Sequence, residues 1–184
     1  MPNRKLTVVT YHYIRNLEKS RYPEIKGLNI NSFRKQLLYF NKHYSFISIP
    51  ELVDAIESGT PLPENSILLT FNDNYLDHFT NVFPILDEMN IPGCFYPEIK
   101  ALAEPVVLPN HKIHYILASE PDTEKIIKEI KKLITKQSQM FPVSSFESYF
   151  DKLARPSKYD PKEVIFIKRL LQNELDEDLA KIFI

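Results

Sequence analysis

The stretch LLTFNDNYLDHF, Leu68 to Phe79, combines an apolar run with a sudden group of side chains that can do chemistry. Two asparagines, two aspartates and one histidine follow the apolar residues at once. Carboxylates and imidazoles bind divalent metals and move protons. The stretch is therefore a candidate metal or catalytic site, with Asp73 as its central carboxylate.

Two other interpretations of this stretch differ in strength. A calcium loop is excluded because the EF-hand template needs a glycine and a distal glutamate that DNDNYLD lacks. The plain alternative is that Asp73 caps a helix or forms a turn after a strand, which is a common use of aspartate. That alternative stays open on the sequence alone.

The histidines offer further candidate site residues, of which His111 and His114 are the candidate metal ligands. His12 ends an apolar run, and His111 and His114 are three residues apart. On a helix that spacing puts both imidazoles on one face, where they can meet the same metal. Their apolar neighbours are more typical of one buried and one solvent-facing histidine. The sequence assigns no role to His43 or His78.

The elements that must position these residues begin with four predicted strands. They span Leu6–His12, Phe46–Ile49, Ile67–Phe71 and Gly93–Pro97, and predicted helices separate them. Alternating strands and helices predict an α/β fold with a parallel sheet, open or barrel-like. The first strand shows little alternation, as a strand covered on both faces would.

In parallel α/β folds, ligands bind where the carboxyl ends of the strands meet. His12 ends the first strand, and Asn72 and Asp73 end the third. We therefore expect these residues to converge at one edge of the sheet.

Cap residues predict where the first helices begin and end. Asn31 or Ser32 is suited to cap a helix that carries Phe33 and Leu37 inward. Pro50 is expected as the first residue of a second helix, which Gly59 ends.

The last third of the chain is predicted to be helical. DTEKIIKEIKKLITK carries Ile130 and Ile134 on one stripe. DPKEVIFIKRLLQNEL is expected to start at Asp160 as N-cap, with Pro161 as the first helical residue and Glu163 completing a capping box. We expect one domain over 1–184, with an α/β part over 6–118 and a helical extension over 119–184.

Composition excludes several classes of function. The 184 residues carry 23 basic and 24 acidic side chains, so there is no basic field for nucleic acid. Three glycines form no phosphate-binding loop. The single Cys94 forms no internal disulfide, and no run reaches the ~20 apolar residues of a membrane span. With no signal peptide visible, a cytoplasmic setting is expected.

Three segments resemble the polysaccharide deacetylase, or NodB-homology, family of carbohydrate esterases. They are TYHYIR, LLTFNDNYLDHFTNVFPILDEMNIPGCFYP and LPNHKIHYILA, within residues 6 to 118. The middle segment resembles the family sequence of a strand, T-F-D-D-G, a helix with F-P-I-L, and a strand with a small residue before F-F. The resemblance implies a distorted (β/α) barrel that removes N-acetyl groups from amino sugars of a glycan. It also implies a divalent metal, commonly zinc.

The resemblance assigns roles position by position. Asp73 falls on the metal-ligand aspartate of T-F-D-D-G, and Asn72 falls on the aspartate that acts as base. An amide orients water by hydrogen bonding but cannot deprotonate it. Asn74 replaces the glycine, a mild change because asparagine tolerates positive φ. His12 and Tyr75 are the candidate sugar-binding residues.

Two features depart from the family. The H-[ST]-x-x-H motif that supplies two further metal ligands does not occur, and His111 and His114 are the candidate substitutes. Four strands do not close a barrel, and open strand edges must be covered. A homodimer or the C-terminal helices are the expected cover.

Three functions remain open on the sequence. One is a metal-dependent hydrolase of the amide C–N bond in N-acetylated sugars. Another is a non-catalytic or truncated NodB-like domain that binds sugar or a partner, which Asn72 and the missing histidine motif favour. The third is an α/β interaction domain without a small-molecule site.

Overall fold

The computed structural model describes residues 5–104, 106–175 and 177–183. The chain forms two compact units, which are described separately below. The first comprises Met1–Arg21 and Lys26–Pro105, and the second comprises Tyr22–Ile25 and Val106–Ile184. The expectation of one domain stays a prediction.

The first unit is built on a small parallel sheet. Its strands are β1 (Thr7–Tyr11), β4 (Ser45–Phe46), β5 (Ser66–Asn72) and β6 (Cys94–Tyr96). All three partners of β5 run parallel to it. The predicted α/β class and the parallel sheet are therefore confirmed.

Strand β5 lies at the centre of this sheet. β1 pairs with it from Thr7↔Ile67 to Tyr11↔Phe71, along one edge. β4 pairs only near Ser66 and β6 only near Asn72. Because a strand has two edges, β4 and β6 divide the other edge between them. Residues 66–71 are all buried, as the continuous apolar run predicts.

Strand β1 differs from its prediction. The expectation of two covered faces is wrong for this strand, because Val8 is 52% exposed and Thr10 is exposed too. A sheet-edge strand does not need apolar contacts on both sides. Two short strands, β2 (Ile14–Arg15) and β3 (Leu28–Asn29), pair in parallel beside it and were not predicted.

The first three helices of the first unit follow the predicted order, and the fourth was not predicted. The four helices are α1 (Ile30–His43), α2 (Ile49–Ser58), α3 (Phe83–Glu88) and α4 (Ile99–Ala103), together with a 3₁₀ turn at Leu17–Lys19 and a π-helical turn at His78–Val82. Pro84 lies in the first turn of α3, where a proline is tolerated. The core packs α1 and α3 on the sheet. Its buried residues are Tyr11, Ile14, Phe33, Leu37, Ile67, Leu69, Phe71, Val82, Ile85, Leu86 and Ile91.

Two helix boundaries show how capping works here. Asn29, rather than Asn31 or Ser32, caps α1: its side chain accepts from the Asn31 N–H. Helix α2 has a full capping box between Ser48 and Glu51, and it ends at Gly59 with φ +70°. The left-handed conformation there explains why a glycine ends the helix.

The second unit is helical. Its helices are α5 (Pro109–Ser119), α6 (Thr123–Gln137), α7 (Phe146–Leu153), α8 (Lys162–Arg169) and α9 (Glu177–Phe183), and a π-helical turn spans Leu170–Glu174. The stripe on α6 is confirmed, since Ile130 and Ile134 are buried. Helix α7 was not predicted.

The start of α8 corrects the predicted cap. Pro161 is the N-cap, and no side chain caps the helix by a hydrogen bond. Asp160 instead accepts a hydrogen bond from Lys168 at 2.8 Å between Oδ2 and Nζ. A nearby ammonium competes for a carboxylate more strongly than a backbone amide does.

Candidate functional site

The candidate site begins where β5 ends. Asp73 has φ +74° and Asn74 has φ +52°, so two consecutive residues are left-handed. The Asp73 N–H donates to the Tyr96 carbonyl at 3.1 Å, which ties the turn to β6. The prediction that Asn74 replaces a glycine by accepting positive φ is confirmed, whereas the same conformation at Asp73 was not foreseen.

The Asp73 carboxylate has neighbours of different kinds, a tyrosine hydroxyl and an imidazole. The Tyr75 hydroxyl donates to Asp73 Oδ2 at 2.9 Å. His12 Nε2 lies 4.0 Å from the same oxygen. The Asp73 side chain is 17% exposed and the His12 side chain is 51% exposed. The expected convergence of the first and third strand ends is therefore present, with the imidazole on the solvent side.

Tyr75 is nearly buried and donates a hydrogen bond to the Asp73 carboxylate. Its ring stacks on Tyr13 with centroids 4.1 Å apart, and only 9% of the residue is exposed. Burial first, then the hydrogen bonds to Tyr13 and Asp73, raise the pKa of Tyr75 far above its ordinary value. The hydroxyl therefore stays protonated and donates to Asp73. A sugar-binding role for Tyr75 stays a prediction.

Asn72 is the last residue of β5 and pairs with Tyr96 of β6. Its amide can donate and accept hydrogen bonds but has no useful proton affinity. Asn72 and Asp73 line one open cavity of ≈ 440 Å³ at the carboxyl ends of β5 and β6. The other lining residues are Tyr96, Pro97, Glu98, Ile99 and Lys100.

A metal site was tested on the side chains that the structure describes. Within residues 5–104, 106–175 and 177–183, no three histidine, cysteine, aspartate or glutamate side chains come together to hold an ion. Catalytic zinc needs three protein ligands. His12 and Asp73 supply two candidates, so the described residues do not make a complete metal site.

The two other predicted ligands lie on α5 in the second unit. His111 is buried and His114 is half-buried. Asp73 belongs to the first unit. A metal-binding role for His111 and His114 stays a prediction.

Two residues near the site, Glu98 and His78, were not identified from the sequence. Glu98 lines the cavity, and its position directly after the fourth predicted strand was the available signal. His78 is 4% exposed and contacts the carbonyl of His12. No sequence signal identifies His78, since 66 residues separate it from His12.

Two curated proteins are similar to this chain. Poly-beta-1,6-N-acetyl-D-glucosamine N-deacetylases of Escherichia coli K12 and O157:H7 are each 27% identical over 97 residues, which is 52% of this chain. A polysaccharide-deacetylase-like region makes up half of this chain. The match spans 14% of each of these relatives. No protein-family model matches the chain.

Solved structures are similar to part of this chain too. A de-N-acetylase from Aggregatibacter actinomycetemcomitans is 26% identical, with a TM-score of 0.48 over 55% of this chain and 40% of its own. IcaB from Ammonifex degensii is 29% identical, with a TM-score of 0.41 over 50% of this chain and 40% of its own. The predicted resemblance to polysaccharide deacetylases is confirmed by the curated relatives.

Proposed function

We propose that this chain acts on a glycan with N-acetylated amino sugars, as a polysaccharide N-deacetylase. The reaction breaks the amide bond: water adds its oxygen to the acetyl carbon, and the sugar nitrogen gains a proton as acetate leaves. The observation that carries the proposal is the position of Asp73. It occupies the metal-ligand position of the resembled motif, at a strand end, beside His12 and a cavity.

The cavity has the size and the chemistry for a sugar. Its ≈ 440 Å³ falls in the usual range of small-molecule sites. Tyr96 is 50% exposed and offers an aromatic face to a sugar ring. Asn72 can donate and accept hydrogen bonds with hydroxyl or acetamido groups, or hold a water molecule.

Metal dependence belongs to the same proposal, with zinc as the ion. Such an ion, held by Asp73 and His12, would supply polarisation of the acetyl carbonyl and activation of water. Asp73 is the described carboxylate at the family's ligand position, and His12 is the imidazole beside it.

The experiment measures acetate released from β-1,6-linked N-acetylglucosamine oligomers, with zinc and with a chelator. We expect zinc-dependent release that Asp73→Asn abolishes. Asn72→Asp restores a carboxylate base and should raise the rate about 10²- to 10⁴-fold. Asp87→Asn, an exposed change on α3, is the control. No acetate from the wild type or from Asn72→Asp would overturn the proposal.

A second candidate is a non-catalytic domain that binds the same sugars. Asn72 and the incomplete set of described metal ligands favour it. It predicts that the oligomers bind without metal and without acetate release, and that Tyr96→Ala weakens this binding. Calorimetry with a chelator present separates the two candidates.

A further inference from the structure

Three side chains of one turn hold the segment that follows β1. Asp77 Oδ2 accepts from Arg15 Nε at 2.7 Å, and His78 Nε2 lies 2.8 Å from the His12 carbonyl oxygen. Asn81 Nδ2 donates to the Ile14 carbonyl at 2.9 Å. We call Asp77, His78 and Asn81 the clamp.

The contact of His78 fixes its tautomer. A carbonyl oxygen only accepts, so Nε2 of the imidazole carries the proton and donates. Nδ1 is then an unprotonated acceptor, and among the described residues no group hydrogen-bonds to it. The residue is 4% exposed, with the Phe71 and Tyr75 rings edge-on at 5.6 Å. A leucine or phenylalanine would fill this space without burying an unsatisfied nitrogen.

The backbone of the clamp departs from an ordinary helix. His78 and Asn81 lie in the π-helical turn His78–Val82, and such turns are frequent at functional sites. In the same turn the Phe79 ring is 74% exposed. The polar side chains of His78 and Asn81, rather than this ring, contact the segment that follows β1. An apolar core alone does not require that arrangement.

The clamp acts on the residue that meets Asp73. The His12 carbonyl is held by His78, while the His12 imidazole lies 4.0 Å from Asp73. Carbonyl and side chain leave the same Cα, so fixing the carbonyl limits the directions open to the imidazole. The Tyr75 hydroxyl donates to the same Asp73 oxygen at 2.9 Å. Both members of the pair are thus fixed by buried neighbours.

We propose that His78 is a positioning residue that holds the His12 backbone so that the His12 imidazole faces Asp73. The inference deepens the proposed deacetylase function, and any effect of His78 on catalysis rests on that function. It goes beyond that function in naming the His78 hydrogen bond as the device that sets the His12–Asp73 distance.

The first measurement does not depend on activity. In the wild type, the nuclear Overhauser effect between the His12 ring and the Asp73 β-protons should be observed. His78→Phe keeps a flat ring but removes the donor, and it should lose this signal. His78→Gln puts an amide N–H near the position of Nε2 and should restore it. His43→Phe, on the exposed side of α1, is the control and should leave it unchanged.

An unchanged signal in His78→Phe would overturn the proposal. If His78→Phe does not fold, the wild type still decides, because long-range ¹⁵N spectra of its imidazoles report the tautomer. The proposal requires a neutral His78 with the proton on Nε2. A proton on Nδ1 would also overturn it.

The second measurement concerns acetate release. Where the wild type releases acetate, His78→Phe should lower kcat by about 10²-fold, because small misplacements of reacting groups have effects of that size. In a His12→Ala background, His78→Phe should have no further effect. If His78→Phe lowers kcat in the His12→Ala background by as much as in the wild type, the proposal is overturned. If neither the wild type nor Asn72→Asp releases acetate, the deacetylase function is refuted, while the nuclear Overhauser result still decides the role of His78.

Discussion

At the scale of single residues, the candidate site depends on contacts between residues that lie far apart in the sequence, such as His78 and His12. That Asp73 would follow a buried strand and lie near His12 was predictable, because strand ends converge in parallel sheets. The left-handed φ of Asp73 and the role of His78 were not predictable. Both depend on contacts with residues far away in the sequence, such as the His12 carbonyl and the Tyr96 carbonyl.

Tyr75→Phe tests the support of the Asp73 carboxylate. The change removes the hydroxyl that donates to Asp73 Oδ2 at 2.9 Å. We expect the free energy of unfolding to fall by about 1.5 to 3 kcal/mol, as for a hydrogen bond to a charged group. Urea denaturation measures it. Tyr39→Phe is the control, since Tyr39 is 56% exposed, and an equal loss there would contradict the explanation.

His78 gives stability a pH dependence with a definite sign. Burial lowers the pKa of His78 below its ordinary value of 6.5, although the His12 carbonyl and the charges of Asp77 and Asp73 act in the opposite direction. As pH falls below 6.5, the unfolded chain binds a proton at this position before the folded chain does. Stability is therefore lost as pH falls through this window.

Urea denaturation at pH values on both sides of 6.5 measures this effect. We expect the loss of stability on acidification to be smaller in His78→Phe than in the wild type. His43→Phe is the control and should keep the wild-type slope. Equal slopes for the wild type and His78→Phe would contradict the assignment.

At the scale of elements, the sequence predicted which segments form helices better than it predicted the residue at which each helix begins. Apolar spacing identified α1, α6 and α8, because buried stripes need a fixed period. The caps depended on competition between neighbouring polar groups, as at Asn29 and Asp160. Short elements such as α7 and the π-helical turn carry too few residues for a periodic signal.

The cap of α1 can be tested directly. Asn29→Ala removes the side-chain oxygen that accepts from the Asn31 N–H. We expect a loss of about 1 kcal/mol in the free energy of unfolding, measured by urea denaturation. Ser32→Ala, within the first turn of α1, should cost much less. A larger loss in Ser32→Ala than in Asn29→Ala would instead support the N-cap predicted from the sequence.

Gly93 lets α3 pack against the sheet. A Cβ there would lie 2.8 Å from Leu86 Cδ1 and 3.0 Å from Phe71 Cε2. Gly93→Ala should lower the free energy of unfolding by about 1 to 3 kcal/mol through overpacking. Leu86→Val removes the nearest methyl group, so the double variant should lose less than the sum of the two single variants. A loss in the double variant equal to the sum of the two single losses would contradict a contact between a Cβ at position 93 and Leu86.

At the scale of the whole molecule, the chain has balanced charge and apolar surface beyond its cores. Among the described helices, none is long and apolar enough to cross a bilayer. Leu76 and Phe79 are each 74% exposed. The chain spans 14% of the curated relatives that it matches. The cytoplasmic setting and the homodimer stay predictions.

Sedimentation over a range of protein concentrations tests the homodimer. Burial of exposed apolar side chains would drive such an association. We expect a mass that rises with concentration and a weaker association in Phe79→Ser. Ile56→Ser is the control, because Ile56 is 72% exposed on α2. A monomer at every concentration would refute the dimer.

The central position of β5 has a consequence for how the chain is made. A ribosome synthesises β1 first, yet its partner along the sheet begins only at Ser66. The other edge of β5 is complete only once Tyr96 has been added. The β1 residues therefore wait for about sixty further residues before they can pair. Only the edge that β6 completes has to wait until Tyr96 is made.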